Sequence, residues 1–560
     1  MILDRALVIG IILFQNVTTL DFMGPATYLE MIQPMLGQKT DFYTISDKVG
    51  GPIQPSYLMP LHASVTMEEA PRKWDILIIP GGPGATPYAK NEKLVSYARA
   101  AAENATDVLT VCTGGRILGA TGLLDGKSAT TNKIRFNEIA ATYPNVKWVP
   151  HARWVEDGKW WTSSGVSAGL DMGHAYVAKK FGAEAATRIA RTIEYVATTD
   201  GSEDPFAEIT TGSPAPAASL PPVSAEAPIR VGVILFNNVT TLDFMGPATY
   251  LEFIQTMLGR KVEFTAIAEK AGAVQPLNLV PLHATVSMDQ ASQEWDILII
   301  PGGPGAIPFA KNEKLVSYVR GAAEKSKDVL TVCTGGRILG ATGLIDGKKA
   351  TTNKLRFKEI AKDFPKVNWI EKARWVEDGK WWTSSGVSAG LDMGHAYVTA
   401  KFGKAVAERI ARTIEYVADT DSLNDPFVSS VTASPAPLPG SGSPAPSTGT
   451  PTPGVPSPSS GAPATSVPGA SSAAPAPSSG APVPTTGAPL PSSGVPAPLP
   501  SATTAPGTPA PSTDLPGVVK PNPGATTCVR GSQGRKDLDA WCTSNCAMNF
   551  CPQSHCEPCA

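Results

Sequence analysis

Residues 107–124 read DVLTVCTGGRILGATGLL, and this stretch decides the fold. The apolar segment 107–112 predicts a buried β-strand, and the glycines after it begin a helical pattern. A strand that turns sharply into a helix raises the residue at the turn, here Cys112, above the edge of its sheet. The helix N-terminus is expected to lower the pKa of this thiol and favour the reactive thiolate. A small buried cysteine without chemistry is the alternative interpretation.

The same alternation of short apolar runs and helical patterns extends on both sides of Cys112. Strands are predicted over 7–14, 41–46 and 75–82, a strand pair over 154–164, and helices over 25–36, 91–104, 116–124, 167–182 and 183–196. This order predicts an α/β fold whose mostly parallel sheet is covered on both faces. Ligands of such sheets bind beyond the carboxyl ends of the strands, where Asp21, Gly82 and Cys112 are expected to meet.

Almost the whole pattern occurs twice. Residues 9–205 reappear at 231–426 with few changes, and Cys333 is the counterpart of Cys112. The repeated unit has the size of an enzyme domain, which indicates a tandem duplication, since solenoid repeats are much shorter. The apolar N-terminus recurs inside the chain at 229–236, so it is interpreted as the first strand and not as a signal peptide.

The composition divides the chain further. Two α/β domains are predicted at 1–209 and 229–428, joined by a linker at 210–228. A spacer rich in Pro, Ser, Thr and Ala follows at 429–525, and a six-cysteine module at 526–560. The spacer cannot bury a core and is predicted to be disordered and extended.

The C-terminal module is too small for a hydrophobic core. Its even number of cysteines indicates a disulfide-stapled unit with 15 possible pairings, and zinc bound by some thiolates and His555 is the alternative. The six are Cys528, Cys542, Cys546, Cys551, Cys556 and Cys559. The segment weakly resembles small chitin- or cellulose-binding modules, in which Trp541 and Phe550 would stack on sugar rings or only fill the small core.

Net charge and hydropathy bear on whether the chain binds nucleic acids or membranes. A net charge of −2 indicates neither a nucleic-acid-binding surface nor a polybasic membrane patch. No apolar run reaches the ~18 residues of a membrane span. The compartment stays open, because the absence of a signal sequence favours the cytoplasm whereas the cysteine-rich tail favours secretion.

Three separated motifs carry a resemblance to a known family. The segments LDFMGPATYLE (20–30), DILIIPGGPG (75–84) and VCTGGRILGATGLLDGKSATTNK (111–133) resemble the ThiJ/PfpI family of class I glutamine amidotransferase-like domains. The resemblance covers about 200 residues in each repeat and is nearest to the isonitrile hydratase branch. It implies two flavodoxin-like three-layer domains that act on a small molecule without cofactor or metal, and that pair as a homodimer or within one chain.

The resemblance also implies the site residues. It makes the cysteines the nucleophiles, the aspartates the acids beside the sulfur, the threonines the third catalytic residues, and the glycines the substrate-binding positions. These are, in order, Cys112 and Cys333; Asp21 and Asp243; Thr113 and Thr334; and Gly82, Gly114, Gly303 and Gly335. A helix N-cap is the alternative role of Asp21.

One departure from the family concerns histidine. Many relatives have a His after the paired threonines, where this chain has Asn132-Lys133 and Asn353-Lys354. His174 and His395 lie among apolar helix residues and are interpreted as structural, so a Cys-His triad is disfavoured.

The leading functional hypothesis is the hydration of isonitriles to N-substituted formamides through a cysteine thioimidate. A glyoxalase- or deglycase-like activity on reactive carbonyls is the second hypothesis, since the same thiolate would serve it. The third is a non-enzymatic redox sensor, targeted by a polysaccharide-binding tail.

Overall fold

The structure is a computed structural model. It describes residues 4–48, 53–55, 61–212, 226–277, 279 and 281–431, and the backbone of 529–531 and 556–558. The predictions of a disordered spacer, of tail disulfides or zinc and of sugar-stacking aromatic residues lie outside the described residues, apart from a few positions at the edges of these segments.

The first repeat is an α/β domain. Its strands are β1 (Leu7–Ile12), β2 (Thr40–Ser46), β3 (Val65–Thr66), β4 (Trp74–Ile79), β5 (Ala105–Thr110), β6 (Ser128–Ala129), β7 (Lys147–Trp148), β8 (Trp154–Asp157) and β9 (Trp160–Ser163). Its α-helices are α1 (Thr19–Leu36), α2 (Ala85–Ala89), α3 (Glu92–Glu103), α4 (Gly114–Ala120), α5 (Phe136–Thr142), α6 (Ala168–Phe181) and α7 (Ala183–Thr192). Short 3-10 turns occupy Lys133–Arg135 and Ala207–Thr210.

The second repeat follows the same plan. Its strands are β10 (Ile229–Ile234), β11 (Val262–Ala268), β12 (Gly272–Val274), β13 (Leu282–Ala284), β14 (Val286–Ser287), β15 (Ile297–Ile300), β16 (Asp328–Thr331), β17 (Lys349–Ala350), β18 (Asn368–Trp369), β19 (Trp375–Asp378) and β20 (Trp381–Ser384). Its α-helices are α8 (Thr241–Leu258), α9 (Ala306–Ala310), α10 (Glu313–Lys325), α11 (Gly335–Ala341), α12 (Phe357–Asp363), α13 (Ala389–Phe402) and α14 (Lys404–Ile414), with 3-10 turns at Lys354–Arg356 and Val428–Val431. In the tail, β21 (Val529–Gly531) pairs antiparallel with β22 (Cys556–Pro558).

Each repeat has one large sheet within the described residues. The strand orders are β3-β2-β1-β4-β5-β9-β8 and β14-β11-β10-β15-β16-β20-β19. The pairs β8–β9 and β19–β20 are antiparallel, whereas the central strands pair in parallel. The predicted α/β fold with mostly parallel sheets is therefore confirmed. Because β1, β4 and β5 are neighbours, the residues that follow them meet at one edge of the sheet.

Helix α1 begins at Thr19, earlier than the start predicted at Pro25. Pro25 lies inside the helix, where its missing N–H leaves one backbone carbonyl without its usual partner. A Cβ on Gly24 would lie only 3.1 Å from the backbone of α6, so glycine allows these two helices to approach closely. The early start places Asp21 in the first turn of α1 rather than ahead of the helix.

The two repeats pack against each other within one compact unit. Helix α1 of the first repeat contacts α8 of the second, and buried apolar side chains of both repeats form one continuous cluster. The imidazoles of His62 and His283 face each other across the contact, with ring centroids 4.3 Å apart. This packing brings each sheet edge close to the opposite repeat. No helix in the described part of the chain is long and apolar enough to cross a membrane.

Candidate active site at the two nucleophile elbows

Cys112 occupies the sharp turn between β5 and α4. Its φ is +57°, and that of Cys333 between β16 and α11 is +59°. A left-handed backbone is uncommon for residues other than glycine and costs about 1–3 kcal/mol, so it marks a turn that the surrounding structure holds in place. Both thiols are buried and unpaired by disulfides. The turn therefore has the predicted geometry of a nucleophile elbow.

Asp21 lies beside Cys112. Its Oδ2 accepts a hydrogen bond of 2.8 Å from the amide of Gly81, and Gly302 binds Asp243 in the same way. The residue before the helix is Thr18, so the alternative role of Asp21 as an N-cap is not observed. Burial raises the pKa of Asp21 well above its usual range, although the Gly81 amide and the thiol of Cys112 act in the opposite direction. Burial therefore favours the neutral form of the Asp21 carboxyl, and the same holds for Asp243.

The expectation of a lowered cysteine pKa is wrong for this structure. Burial raises the pKa of the Cys112 thiol well above its usual value, and the nearby carboxyls of Asp21 and Glu415 raise it further. The hydrogen bond from the amide of Thr113 lowers the pKa but does not outweigh burial. Cys333 behaves alike. In the resting site, burial therefore favours a neutral thiol next to a neutral carboxylic acid.

Thr113 and Gly82 bind each other. The amide of Gly82 donates to Oγ1 of Thr113 at 2.9 Å, and Oγ1 lies 3.2 Å from the carbonyl oxygen of Gly82. The amide of Gly82, a predicted substrate-binding position, is therefore already bound to Thr113 in this arrangement. Thr334 and Gly303 repeat the contact at 2.9 Å. The threonines connect the elbow to the glycine-rich turn after the neighbouring strand.

Gly114 has a packing reason to be glycine. A Cβ there would overlap the carbonyl oxygen of Ile79, and its amide donates to Val111 at 2.9 Å. Gly335 stands in the same relation to Ile300. In this structure both glycines allow close packing of the elbow against the neighbouring strand, and neither amide is free to bind a substrate.

A glutamate from the opposite repeat enters each site. Glu415 follows α14 of the second repeat, and its carboxylate lies behind the elbow of Cys112. Oε1 accepts from the Asn132 side chain at 3.1 Å and from the Lys133 amide at 2.7 Å. Oε2 accepts from the Gly165 amide at 2.6 Å and from the Ser164 hydroxyl.

Glu194 of the first repeat makes the reciprocal contacts in the second site. It accepts from the Asn353 side chain at 3.1 Å, from the Lys354 amide at 2.7 Å and from the Gly386 amide at 2.6 Å, as well as from the Ser385 hydroxyl. The two sites are therefore built from both halves of the chain.

The backbone of this glutamate is held as tightly as its side chain. Glu194 and Glu415 have φ values of +51° and +53°. Arg153 donates to the carbonyl oxygen of Glu415 at 3.0 Å and is itself bound to Asp171 at 2.9 Å. Asp171 therefore orients the arginine that holds the backbone of Glu415.

Reasoning from the sequence missed these glutamates because each was assigned to the end of a predicted helix, over 183–196 in the first repeat. The available signal was a lone carboxylate in the otherwise uncharged segment IEYVA, present at 193–197 and again at 414–418. His174, by contrast, packs edge-on against Tyr28 with ring centroids 5.8 Å apart, as expected for a structural histidine.

The geometry suits proton relay between sulfur and carboxyl. A neutral thiol and a neutral carboxylic acid can together add S–H across a substrate bond without creating a net charge. A buried site would disfavour such a charge, because burial away from water destabilises ions. Oδ1 of Asp21 accepts no hydrogen bond of standard geometry from the described residues, and the Cys112 thiol is close enough to act on this carboxyl.

Comparison with known proteins shows two matches to one family model, DJ-1/PfpI, at residues 8–179 and 229–400. The chain is 31% identical over 191 residues to isonitrile hydratase of Pseudomonas putida, a match that covers 34% of this chain and 78% of that enzyme. It is 26% identical over 344 residues to protein DJ-1 homolog B of Arabidopsis thaliana, covering 59% of this chain and 71% of that protein.

Two further matches are shorter or weaker. Deglycase PfpI of Pyrococcus furiosus is 33% identical over 93 residues, which cover 16% of this chain and 53% of the enzyme. Among solved structures, a ThiJ/PfpI family protein from Pseudomonas syringae matches with a TM-score of 0.32 and 25% identity, over 37% of this chain and 85% of that one.

Proposed function

The chain belongs to the DJ-1/PfpI family, and we propose that each repeat is a cofactor-free hydratase that converts isonitriles to N-substituted formamides. The observation that carries the proposal is the buried pair of Cys112 and Asp21, in which burial raises the pKa of both groups and favours their protonated forms. The similarity to an isonitrile hydratase supports the substrate class. An isonitrile is a small neutral molecule that a buried neutral pair can accept.

In the first step the thiol adds to the terminal carbon of the isonitrile. The carboxyl of Asp21 gives its proton to that carbon while the sulfur of Cys112 forms the C–S bond and passes its own proton to the carboxyl. The product is a thioimidate, R–N=CH–S–Cys, and Asp21 ends the step protonated. No net charge appears at any point, which fits a site shielded from solvent.

In the second step water adds to the thioimidate carbon. Asp21 protonates the nitrogen and takes a proton from the water, which gives R–NH–CH(OH)–S–Cys. The C–S bond then breaks, the hydroxyl proton returns to the sulfur through the same carboxyl, and R–NH–CHO leaves. Thiol and carboxylic acid are both regenerated.

A direct assay tests the proposal. Incubation of the full chain with para-nitrophenyl isocyanide is expected to yield the corresponding formamide, detected by liquid chromatography. The similarity to deglycases makes methylglyoxal the appropriate competitor substrate. Lactate from methylglyoxal together with no formamide from the isonitrile would reject the hydratase in favour of a carbonyl-directed enzyme.

We further propose that the two repeats pair within one chain, as an intramolecular dimer. The reciprocal glutamate contacts and the α1–α8 packing are the support. Sedimentation velocity at micromolar concentration is expected to give a species with the mass of one chain, 58.4 kDa. A stable species of twice that mass would contradict intramolecular pairing.

A further inference from the structure

We propose that Glu415 and Glu194 are positioning residues that complete the nucleophile elbow of the opposite repeat, so that the geometry and ionisation of each cysteine depend on the other half of the chain. The proposal deepens the proposed hydratase function and rests on it for the reaction, but the contacts that carry it are independent of any substrate. Two hydrogen-bonded connections and the shape of the site support the proposal.

The first connection passes through the asparagine that replaces the histidine of many relatives. The Asn132 side chain donates to Glu415 at 3.1 Å, while its backbone amide lies 3.4 Å from the carbonyl oxygen of Cys112. The same residue therefore touches both the incoming carboxylate and the elbow. Its orientation fixes the carbonyl side of the strained turn.

The second connection passes through a serine. The amide of Cys333 donates to the carbonyl oxygen of Ser385 at 2.7 Å, and the hydroxyl of Ser385 donates to Glu194. Ser164 holds Glu415 in the first site in the same manner. Loss of the carboxylate would leave the hydroxyl and two backbone amides without an acceptor in a buried region, so the segment would rearrange.

The third observation is that the site is shaped for this side chain. A Cβ on Gly165 would overlap the side chain of Glu415, and a Cβ on Gly386 would overlap that of Glu194. Every neighbour within hydrogen-bond distance of the carboxylate is a donor, which matches an ionised carboxylate that only accepts. Glutamate is thus the side chain whose length and charge fit.

Ionisable groups surround the carboxylate of each of the two glutamates. Glu415 faces Lys133, Arg153 and Asp204 of the first repeat, and it also acts on Asp21 and Cys112. Burial raises the pKa of Glu415 to about 7, whereas Lys133 and Arg153 oppose the rise. In the second site the corresponding groups around Glu194 are Lys354, Arg374, Asp425, Asp243 and Cys333. Above neutral pH the Glu415 carboxylate therefore adds a negative charge that disfavours the thiolate of Cys112.

The test measures the pH dependence of iodoacetamide alkylation at each cysteine separately in the full chain. Trypsin releases the two cysteines in peptides of different mass, 100–116 and 328–337, so one sample reports both by mass spectrometry. In Glu415→Gln, the midpoint at Cys112 is expected to fall by about one pH unit, because a nearby like charge is removed. The midpoint at Cys333 should stay within about 0.2 pH unit of the wild type, because its own glutamate is intact.

Glu194→Gln is the matched control and should give the mirror image, with the shift at Cys333 only. A shift at the cysteine of the glutamate's own repeat, or no shift at either cysteine, overturns the proposal. Alkylation does not depend on turnover, so this result stands apart from the outcome of the isonitrile assay.

Two further measurements exclude a merely structural effect. If Glu415→Gln unfolds, both peptides will be alkylated rapidly, and Gly165→Ala then displaces the carboxylate without removing it. In the Cys333→Ser background, Glu415→Gln is expected to lower the kcat of isonitrile hydration by about 10–100-fold with little change in KM, as for a misplaced reacting group. An unchanged kcat together with an unchanged midpoint would reject the positioning role.

Discussion

The Cys112→Ser/Cys333→Ser variant is expected to lose isonitrile hydration by ~10³-fold or more, since a serine hydroxyl is a much weaker acid and a poorer nucleophile than a cysteine thiol. The relay through Asp21 would therefore have to move a proton that the hydroxyl gives up far less readily. Serine is nearly the size of cysteine, so the buried elbow should retain its shape. Formamide production at fixed chain concentration measures the loss.

The single variants serve as controls for the double variant. If the two sites are equivalent, Cys112→Ser and Cys333→Ser each retain about half of the wild-type rate, because the other elbow is intact. Unequal single variants would assign the activity mainly to one repeat. A double variant that hydrates the isonitrile at the wild-type rate would contradict covalent catalysis by either cysteine.

The parts of the fold that follow from local pattern were predictable. Apolar strands such as β4 and β5, and the turn at Cys112, depend on periodicity and on glycine, which are visible in the sequence. The start of α1 could not be predicted in this way. Pro25 is a favoured first helical residue, so the predicted helix began too late. In the structure the helix begins at Thr19 and packs on α6.

The electrostatics of the site were predicted in the wrong direction. The sequence shows that Cys112 precedes a helix, which lowers a thiol pKa, but it does not show how deeply the thiol is buried. The effect of burial exceeds that of the hydrogen bond from the Thr113 amide here and raises the pKa. The consequence is chemical, because a thiol that starts protonated needs a partner that receives its proton, and Asp21 is in place to do so.

The contribution of the opposite repeat could not be read from one domain alone. Glu194 lies 160 residues before Lys354 and Glu415 lies 282 residues after Lys133, and only the packing of the two halves brings them together. The duplication therefore places the glutamate of one repeat in the site of the other within one chain. A single copy would need to pair with a second molecule to receive that glutamate. Both repeats must keep the glutamate for both sites to be complete.

Asp21→Asn, made in the Cys333→Ser background so that only the first site turns over, is expected to lower the kcat of hydration by about 10²–10⁴-fold. An amide can still accept the hydrogen bond from Gly81, but it cannot pass a proton between the sulfur and the isonitrile carbon. In the enzyme that retains Asp21, the rate should be level below the raised pKa of Asp21 and fall as pH rises through it, since the carboxylate has no proton to give. The Asp21→Asn substitution should abolish that particular fall, because the amide does not titrate.

Alkylation of Cys112 separates this chemical role of Asp21 from a structural one. The Asp21 carboxyl raises the pKa of the Cys112 thiol, so its removal should make Cys112 react with iodoacetamide at lower pH while hydration is lost. Asp243→Asn should do the same at Cys333 and leave the pH midpoint of Cys112 alone, which provides the matched control. A fall in both hydration and alkylation would indicate a collapsed elbow. Hydration at the rate of the Asp21 enzyme would exclude the carboxyl as the proton relay, and the mechanism would then require the thiol to protonate the isonitrile carbon directly.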